Sequence, residues 1–545
     1  MIDEHLASAK AVVVLWSTDA VKSEWVRAEA DVARTAKKLV QLSIDGAALP
    51  LPFSQLHCAD LKGWAGDPLA KGWKSVVAGV AELAGNSSRR AIAAKTAKSG
   101  PPRLSMCVLP FANMSGDPEQ EYFSDGISED IITDLSKVSA LSIVARNTAF
   151  TFKCAAVDAR RVAAELGVEH ILEGSVRKSG GRVRITAQLI EGVSGSHIWA
   201  ERYDRELTDI FALQDEISQT IVEALKLRLL PAEKEAIERR GTANVEAYNL
   251  FLMARQHSVG SSEADSTRNR SIIRLCRKVV EIDPEYADAW ALMALAQTLL
   301  FFADGAGEED GLKAAERALA LNPALAEPHA VRARHLANRG LRDEAFAEIQ
   351  TALQLAPDSF EVNSAAAALN FRERRTEDAI RFFEKAMTLM ESDLGAPGML
   401  ITCYKTLGDT SGLHRVAEIA LSRAERALAA DPSSGKALAF GVNALAALGD
   451  ASHAREWIER ALVVDPENRS TRFNCACALS AHLNDADAAI ELLAPIFERA
   501  PPSLIDHAMA DTDLDPIRTD PRFQRMISRA QARIAAAGPG SPPIE

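Results

Sequence analysis

From about residue 245 onward, apolar positions recur at helical spacing in short paired stretches. Each pair closes on a proline or its substitute, at Pro284, Pro323, Pro357, Glu391, Pro432, Pro466 and Pro501, giving intervals of 39, 34, 34, 41, 34 and 35 residues. Within the pair ending at Pro466, Gly449-Asp450 marks the turn between helices. Ala454 and Ala461 are small enough for close helix approach, and Ile458 fills the space between them. Gly340, Ala345, Ile349 and Ala352 repeat the pattern one unit earlier, and Ala379, Phe383 and Ala386 repeat it again, with Glu391 in place of proline and a less abrupt helix stop expected. One helix pair cannot bury its own apolar stripe, so the pattern predicts a stacked solenoid with a concave face.

Ahead of residue 240 the pattern changes to short apolar runs alternating with amphipathic stretches, as in α/β units. The run 11–16 reads as a strand buried on both faces, followed by a helix over 21–36, strands over 38–44 and 57–61, and a helix over 73–83. A second α/β segment has strands at 104–111 and 141–145, helices at 124–138 and 157–166, and a meander of 170–178, 183–191 and 197–203. Ser179-Gly180-Gly181-Arg182 forms its first turn, and Val183, Ile185, Ala187 and Leu189 alternate as a buried face. A long helix is expected over 211–230. Polar, Pro-ended residues 86–103 have linker composition.

The resulting architecture is multidomain: an α/β unit over 1–85, a linker over 86–103, a second α/β domain over 104–230, a helical array of about seven repeats over 243–502, capping helices over 503–536 and a disordered tail over 537–545. The array intervals of 39 and 41 predict insertions at 303–310 and 391–398. A net charge of -13 opposes general binding to phosphate backbones, so no nucleic-acid partner is expected. Seven scattered cysteines suit reduced thiols, with Cys475 and Cys477 as small buried helix residues. No run approaches the roughly 20 apolar residues of a membrane span, and the expected location is cytoplasmic.

Three resemblances refine this picture. A period near ~34 resembles tetratricopeptide repeats. Val-Leu-Trp-Ser at 14–17, the Ser-x-Trp-x-x-x-Glu arrangement of Ser23, Trp25 and Glu29, and Leu-Val-Gln-Leu-Ser-Ile-Asp at 39–45 resemble the carboxy-terminal half of a Toll/interleukin-1 receptor (TIR) domain. In NAD-cleaving members the residue at the position of Glu29 is catalytic, where a carboxylate stabilises a cationic transition state. The resemblance places the first two strands and the nucleotide-closing loop ahead of residue 1, so the expectation is an inactive unit. NAD cleavage through Glu29 is the alternative, and NAD is a cofactor only under it. Self-association through the TIR-like unit is a further expectation.

Val-Leu-Pro-Phe-Ala-Asn at 108–113, Tyr-Phe-Ser-Asp-Gly-Ile at 122–127, Leu-Glu-Gly-Ser-Val at 172–176 and Trp-Ala-Glu-Arg-Tyr-Asp at 199–204 are similar to the TolB amino-terminal-like module. In bacterial signalling proteins that module commonly joins a TIR, cyclase or winged-helix domain to tetratricopeptide repeats. Asp125, Glu129, Asp130 and Asp134 share one helix and could hold Mg²⁺, but acids favour helix N-termini anyway, and no metal site is expected. The reading is therefore a bacterial signalling scaffold whose groove binds a protein or peptide. Tyr248, Asn249, Trp290, Arg332, Asn363 and Asn443 are the groove-facing candidates, with Met253, Arg255, Met293, His329, Asn370 and Asn474 beside them.

Overall fold

The computed structural model describes residues 9, 11–36, 38–47, 49–50, 53, 58–62, 73, 76 and 80, and then 103–153, 158–238, 241–258, 266–304 and 310–537. The chain divides into two compact units, Met1–Pro102 and Arg103–Glu545. The expected linker over 86–103, most of the 73–83 helix and almost all of the 537–545 tail lie outside the described residues.

In the first unit, strands β1 (Val12–Trp16), β2 (Leu39–Ser43) and β3 (Cys58–Asp60) pair in parallel in that order. Helix α1 (Glu24–Thr35) connects β1 to β2 and starts on Ser23, whose hydroxyl accepts a hydrogen bond from the Val26 amide. Val14 and Trp16 pack with Ala30 and Phe53. The run 11–16 is not buried on both faces: Val13 and Leu15 are 39% and 54% exposed. The strand lies at the end of this sheet, where α1 covers a single face, so its side chains alternate between core and surface.

The second unit opens with a mixed sheet in the order β6-β4-β7-β8-β9, formed by β4 (Leu104–Val108), β6 (Leu141–Ile143), β7 (His170–Ser179), β8 (Arg182–Glu191) and β9 (His197–Glu206). The short β5 (Ala112–Asn113) pairs with β7. Val183, Ile185, Ala187 and Leu189 are fully buried, as their alternation predicts. They face α2 (Glu121–Ser136) and α5 (Ile210–Ala224) in one core. On the opposite face, Cys107 and Ile171 meet α3 (Arg146–Ala149) and α4 (Ala159–Leu166). The helix expected over 211–230 stops at Ala224. Lys226 takes a left-handed φ of 57°, and a separate α6 (Pro231–Glu238) starts on a proline that suits a first helical position. The apolar periodicity carried across this break because Leu225, Leu227 and Leu229 still pack on the same core.

Among the described residues, seven antiparallel helix pairs follow. They are α7 (Val245–Ser258) with α8 (Ser266–Ile282), α9 (Ala287–Asp304) with α10 (Leu312–Leu321), α11 (Ala326–Asn338) with α12 (Arg342–Leu355), and α13 (Phe360–Arg372) with α14 (Thr376–Leu389). The last three are α15 (Gly395–Leu407) with α16 (Thr410–Ala430), α17 (Gly435–Ala447) with α18 (Ala451–Val464), and α19 (Arg469–Ala481) with α20 (Ala486–Glu498). Ala345, Ala352, Ala379, Ala386, Ala454 and Ala461 are completely buried between helices.

Two expectations about the array need correction. The longer fourth interval is not an insertion at 391–398: α16 runs 21 residues where α12, α14 and α18 run 14. Seven extra residues are close to two helical turns, so the buried stripe of α16 keeps its phase. Nor does Glu391 soften the end of α14, which stops at Leu389. Arg423, buried on α16, donates to the carbonyls of Met387, Met390 and Asp393 at 2.9, 3.0 and 2.8 Å. Those bonds satisfy the orphan carbonyls that a following proline leaves to solvent or a turn.

The module and the first pair share a core, since Tyr248 and Leu252 of α7 belong to the apolar cluster of α2 and α5. Gly126 on α2 makes this approach feasible, because a Cβ there would lie 2.6 Å from Leu252 Cδ1. Gly126→Val is therefore expected to overpack the junction and lower stability by ~1–3 kcal/mol, measured by chemical denaturation of the full chain. An unchanged midpoint would show that the junction tolerates the added volume.

Candidate functional site

Successive first helices of the pairs line one continuous cavity of about 920 Å³. At one end lie Glu129, Asp130 and Asp134 of α2 with Tyr248 and Arg255 of α7. At the other lie Lys436, Phe440 and Asn443 of α17 with Arg469 and Asn474 of α19.

The module end is built around a largely, but not fully, buried ion network. Arg255 Nη2 donates to Asp130 Oδ1 at 2.9 Å and to the Gly126 carbonyl at 3.1 Å, and Arg255 Nε lies 3.2 Å from Glu129 Oε2. Burial works against the Arg255 charge, but Glu129 and Asp130 outweigh it and hold the guanidinium above its ordinary range. Tyr248 OH donates a short hydrogen bond to Asp130, and Gln214 Nε2 donates to both Asp130 Oδ2 and Tyr248 OH at 2.8 Å. Asp125 pairs with Lys153 at 2.6 Å and Asp134 with Lys137 at 3.0 Å. The acidic row on α2 thus faces bases and hydroxyls of its own chain, and among the described residues no group of three or more ligand side chains is arranged for a metal ion.

Of the groove-facing candidates, Tyr248 and Asn443 line the cavity, as do Arg255 and Asn474. Asn443 Nδ2 donates to Asn474 Oδ1 at 3.3 Å across adjacent pairs. Asn249, Trp290, Arg332 and Asn363 are not among its lining residues. Asn249 accepts from Lys178 Nζ at 3.1 Å at the module junction, and Arg332 donates to Glu348 Oε1 of α12 at 2.6 Å. Trp290 Nε1 and Asn363 Nδ2 each donate to a proline carbonyl six residues back, Pro284 and Pro357, both at 3.0 Å. His329 Nε2 meets the Pro323 carbonyl at 3.3 Å, and Arg472 Nε donates to that of Pro466. These side chains clamp the turn between pairs. Position six after the proline is the sequence signal that separates them from axis-facing residues.

In the first unit, Glu29 is half-buried on α1, one helical turn from Trp25, whose ring is 81% exposed.

The carboxy-terminal residues do more than cap the stack. Helix α22 (Pro521–Ala537) packs on α20, as a cap would, while α21 (Pro502–Ala510) reaches across the superhelix to α9 and α13. Arg372 Nη2 lies 3.2 Å from Asp506 Oδ2, and Arg374 Nη2 donates to the Met509 carbonyl at 3.1 Å. The His507 ring sits 5.8 Å from Phe371 and 5.5 Å from Phe473. Arg374 occupies the interhelix turn at φ 56°, where Gly340, Gly408 and Gly449 serve other pairs. Past α21, Asp513 accepts from Thr402 Oγ1 at 2.6 Å, and Asp511 accepts from the Asp513 amide at 2.9 Å.

Residues 1–73 match the family model described as "TIR domain". A 204-residue stretch of the chain is 51% identical to "Putative adenylate cyclase 3" of Rhizobium meliloti strain 1021, covering 37% of this chain; the chain spans about a third (34%) of that relative's length. Among solved structures, YrrB, titled a TPR protein with an unusual peptide-binding site, aligns at 18% identity and a TM-score of 0.24 over 41% of this chain and 99% of its own. Yeast Tom70 aligns at 13% identity and a TM-score of 0.32 over 61% and 80%.

Burial, reinforced by Asp513, pushes the Asp511 carboxyl up to about 7. A raised acid favours the fold most below its unfolded value near 3.8, and that contribution is lost as pH rises through about 7. Asp511→Asn is expected to be more stable than wild type at about pH 8, by an amount on the order of a few kcal/mol that shrinks toward about pH 5. Thermal melts of both proteins across this range test it; a stability difference independent of pH would contradict it. The chain as a whole joins a TIR-like α/β unit, a second α/β unit and an all-α solenoid of tetratricopeptide type.

Proposed function

We propose that this chain is a signalling scaffold that holds a segment of a protein partner against the inner faces of its helix pairs, with the two α/β units receiving or transmitting that event. The observation carrying this reading is the continuous cavity, walled by the first helix of each pair and closed across the superhelix by α21. Its far end combines Lys436 and Arg469 with the Asn443–Asn474 pair, a donor set suited to backbone carbonyls and carboxylates of a peptide. The match of residues 1–73 to TIR domains supports a signalling setting, and no described helix is long and apolar enough to cross a membrane.

Access to this surface requires α21 to yield. Its cross-axis contacts include two arginine bonds and the His507 ring against Phe371 on the α13 side, together with contacts to α9. A photo-crosslinking amino acid placed at Asn443 in the full chain is expected to trap a discrete protein partner in the producing cell. The same group at Val463, 82% exposed outside the cavity, should trap none of it. Adding Arg374→Gly, which frees the turn and removes the bond to Met509, is expected to increase the Asn443 adduct several-fold. Equal adducts at Asn443 and Val463 would contradict the reading.

A further inference from the structure

Aligned on their prolines, the second, third and fourth pairs carry an acid four residues on: Asp288, Glu327 and Glu361. Each is the second residue of its helix, α9, α11 or α13, and all three line the cavity. Later pairs break the pattern, with Lys436 at the matching place. Favourable interaction with the helix dipole explains a single acid at an exposed N-terminus; it does not explain three half-buried acids in register along one cavity wall. Burial raises the Asp288 and Glu327 carboxyls, and Glu361 raises Glu327 further.

The cations nearby are already engaged. Arg255 is committed to Asp130, Glu129 and the Gly126 carbonyl. Lys137 is bound to Asp134 and to the Ala236 carbonyl, both at 3.0 Å. Neither forms an ion pair with the row of three acids; among the described residues, the hydroxyl of Ser359 is what meets Glu327 and Glu361, at 3.2 and 3.1 Å. A half-buried carboxylate without a cation is disfavoured, and a like-charged row more so.

An independent feature points the same way. Gln214 is completely buried and lines the cavity beside Asp130, yet its Oε1 has no hydrogen-bond partner. The amide cannot simply be turned over, because its Nε2 donates to Asp130 Oδ2 and Tyr248 OH. An acceptor left open beside Asp130, in the cavity that Asp288, Glu327 and Glu361 also line, calls for a ligand that brings both positive charge and N–H donors.

We infer that the module end of the cavity is a binding site for a small organic polycation, a linear amine with two or more protonated nitrogens, held by Asp288, Glu327 and Glu361 with Gln214 Oε1 accepting from one nitrogen. An inorganic ion satisfies the charge but offers no hydrogen to Gln214, and the enclosed space favours a slender ligand over a folded partner. This inference stands apart from the scaffold reading, since the site could hold an amine whether or not a protein enters the groove.

Titration calorimetry of the full chain with putrescine and with spermidine, at matched ionic strength, tests it. Saturable binding is expected, accompanied by a rise in melting temperature. Glu327→Gln should weaken it about tenfold or more, as should the milder Glu361→Gln if the first variant folds poorly. Glu459→Gln, on the exposed face of α18, should leave it unchanged. No saturable heat from either amine, equal affinity in wild type and both cavity variants, or binding of a lysine-rich peptide without binding of either amine would each overturn the proposal. Loss of the amine site with the Asn443 adduct intact, or the reverse, separates this inference from the scaffold reading.

Discussion

The burial of Arg255 is the constraint on which the second unit depends. A guanidinium taken out of water is tolerated only where carboxylates and carbonyls meet it with good geometry, and here they come from α2 of the module while the arginine comes from α7 of the array. The pairing therefore fixes the first helix pair against the sheet domain, with Leu252 seated over Gly126 as its apolar counterpart. Because each later pair stacks on the one before, the direction of the whole superhelix follows from this first docking. The acids of α2 are then the floor of the cavity and not an isolated surface cluster.

Along the array, regularity is maintained by local devices that differ from pair to pair. A side chain six residues beyond the proline bonds its carbonyl in four of the turns, through Trp290, His329, Asn363 and Arg472. Where Glu391 replaces the proline, Arg423 reaches back from two helices later and satisfies three carbonyls at once. These bonds satisfy carbonyls at the turns between pairs, and farther along the chain α21 meets α13 across the axis of the array. The closing contact joins arginine hydrogen bonds to a ring contact of His507 with Phe371, and Arg374, which makes part of it, sits in a turn conformation that glycine favours.

Much of this fold was legible in the sequence. The proline spacing gave the helix pairs, and the alternation from Val183 to Leu189 gave the buried face of the meander, because burial of side chains is periodic and so are the elements. The break after Ala224 was hidden since the leucines beyond it remain in the core without being helical. Two added turns in α16 look, by counting alone, the same as a loop insertion. For the site, periodicity tells which side of a helix faces its neighbours, and it cannot say which polar residues turn to the superhelix axis. Periodicity alone thus groups Trp290 and Asn363 with Asn443 and does not single out Asp288, Glu327 and Glu361, although the proline alignment holds those acids in register. The contact of Arg372 with Asp506 spans 134 positions and has no local signature at all.

The most direct test of this account is a double-mutant cycle of Arg255→Met and Asp130→Leu in the full chain, read by equilibrium unfolding. If the two residues form the buried link described, each single change is strongly destabilising, and the double variant recovers part of the loss, with a coupling of roughly 1–3 kcal/mol. Losses that simply add would mean that the module and the array are joined by contact alone, and the account of a single docked body would fail.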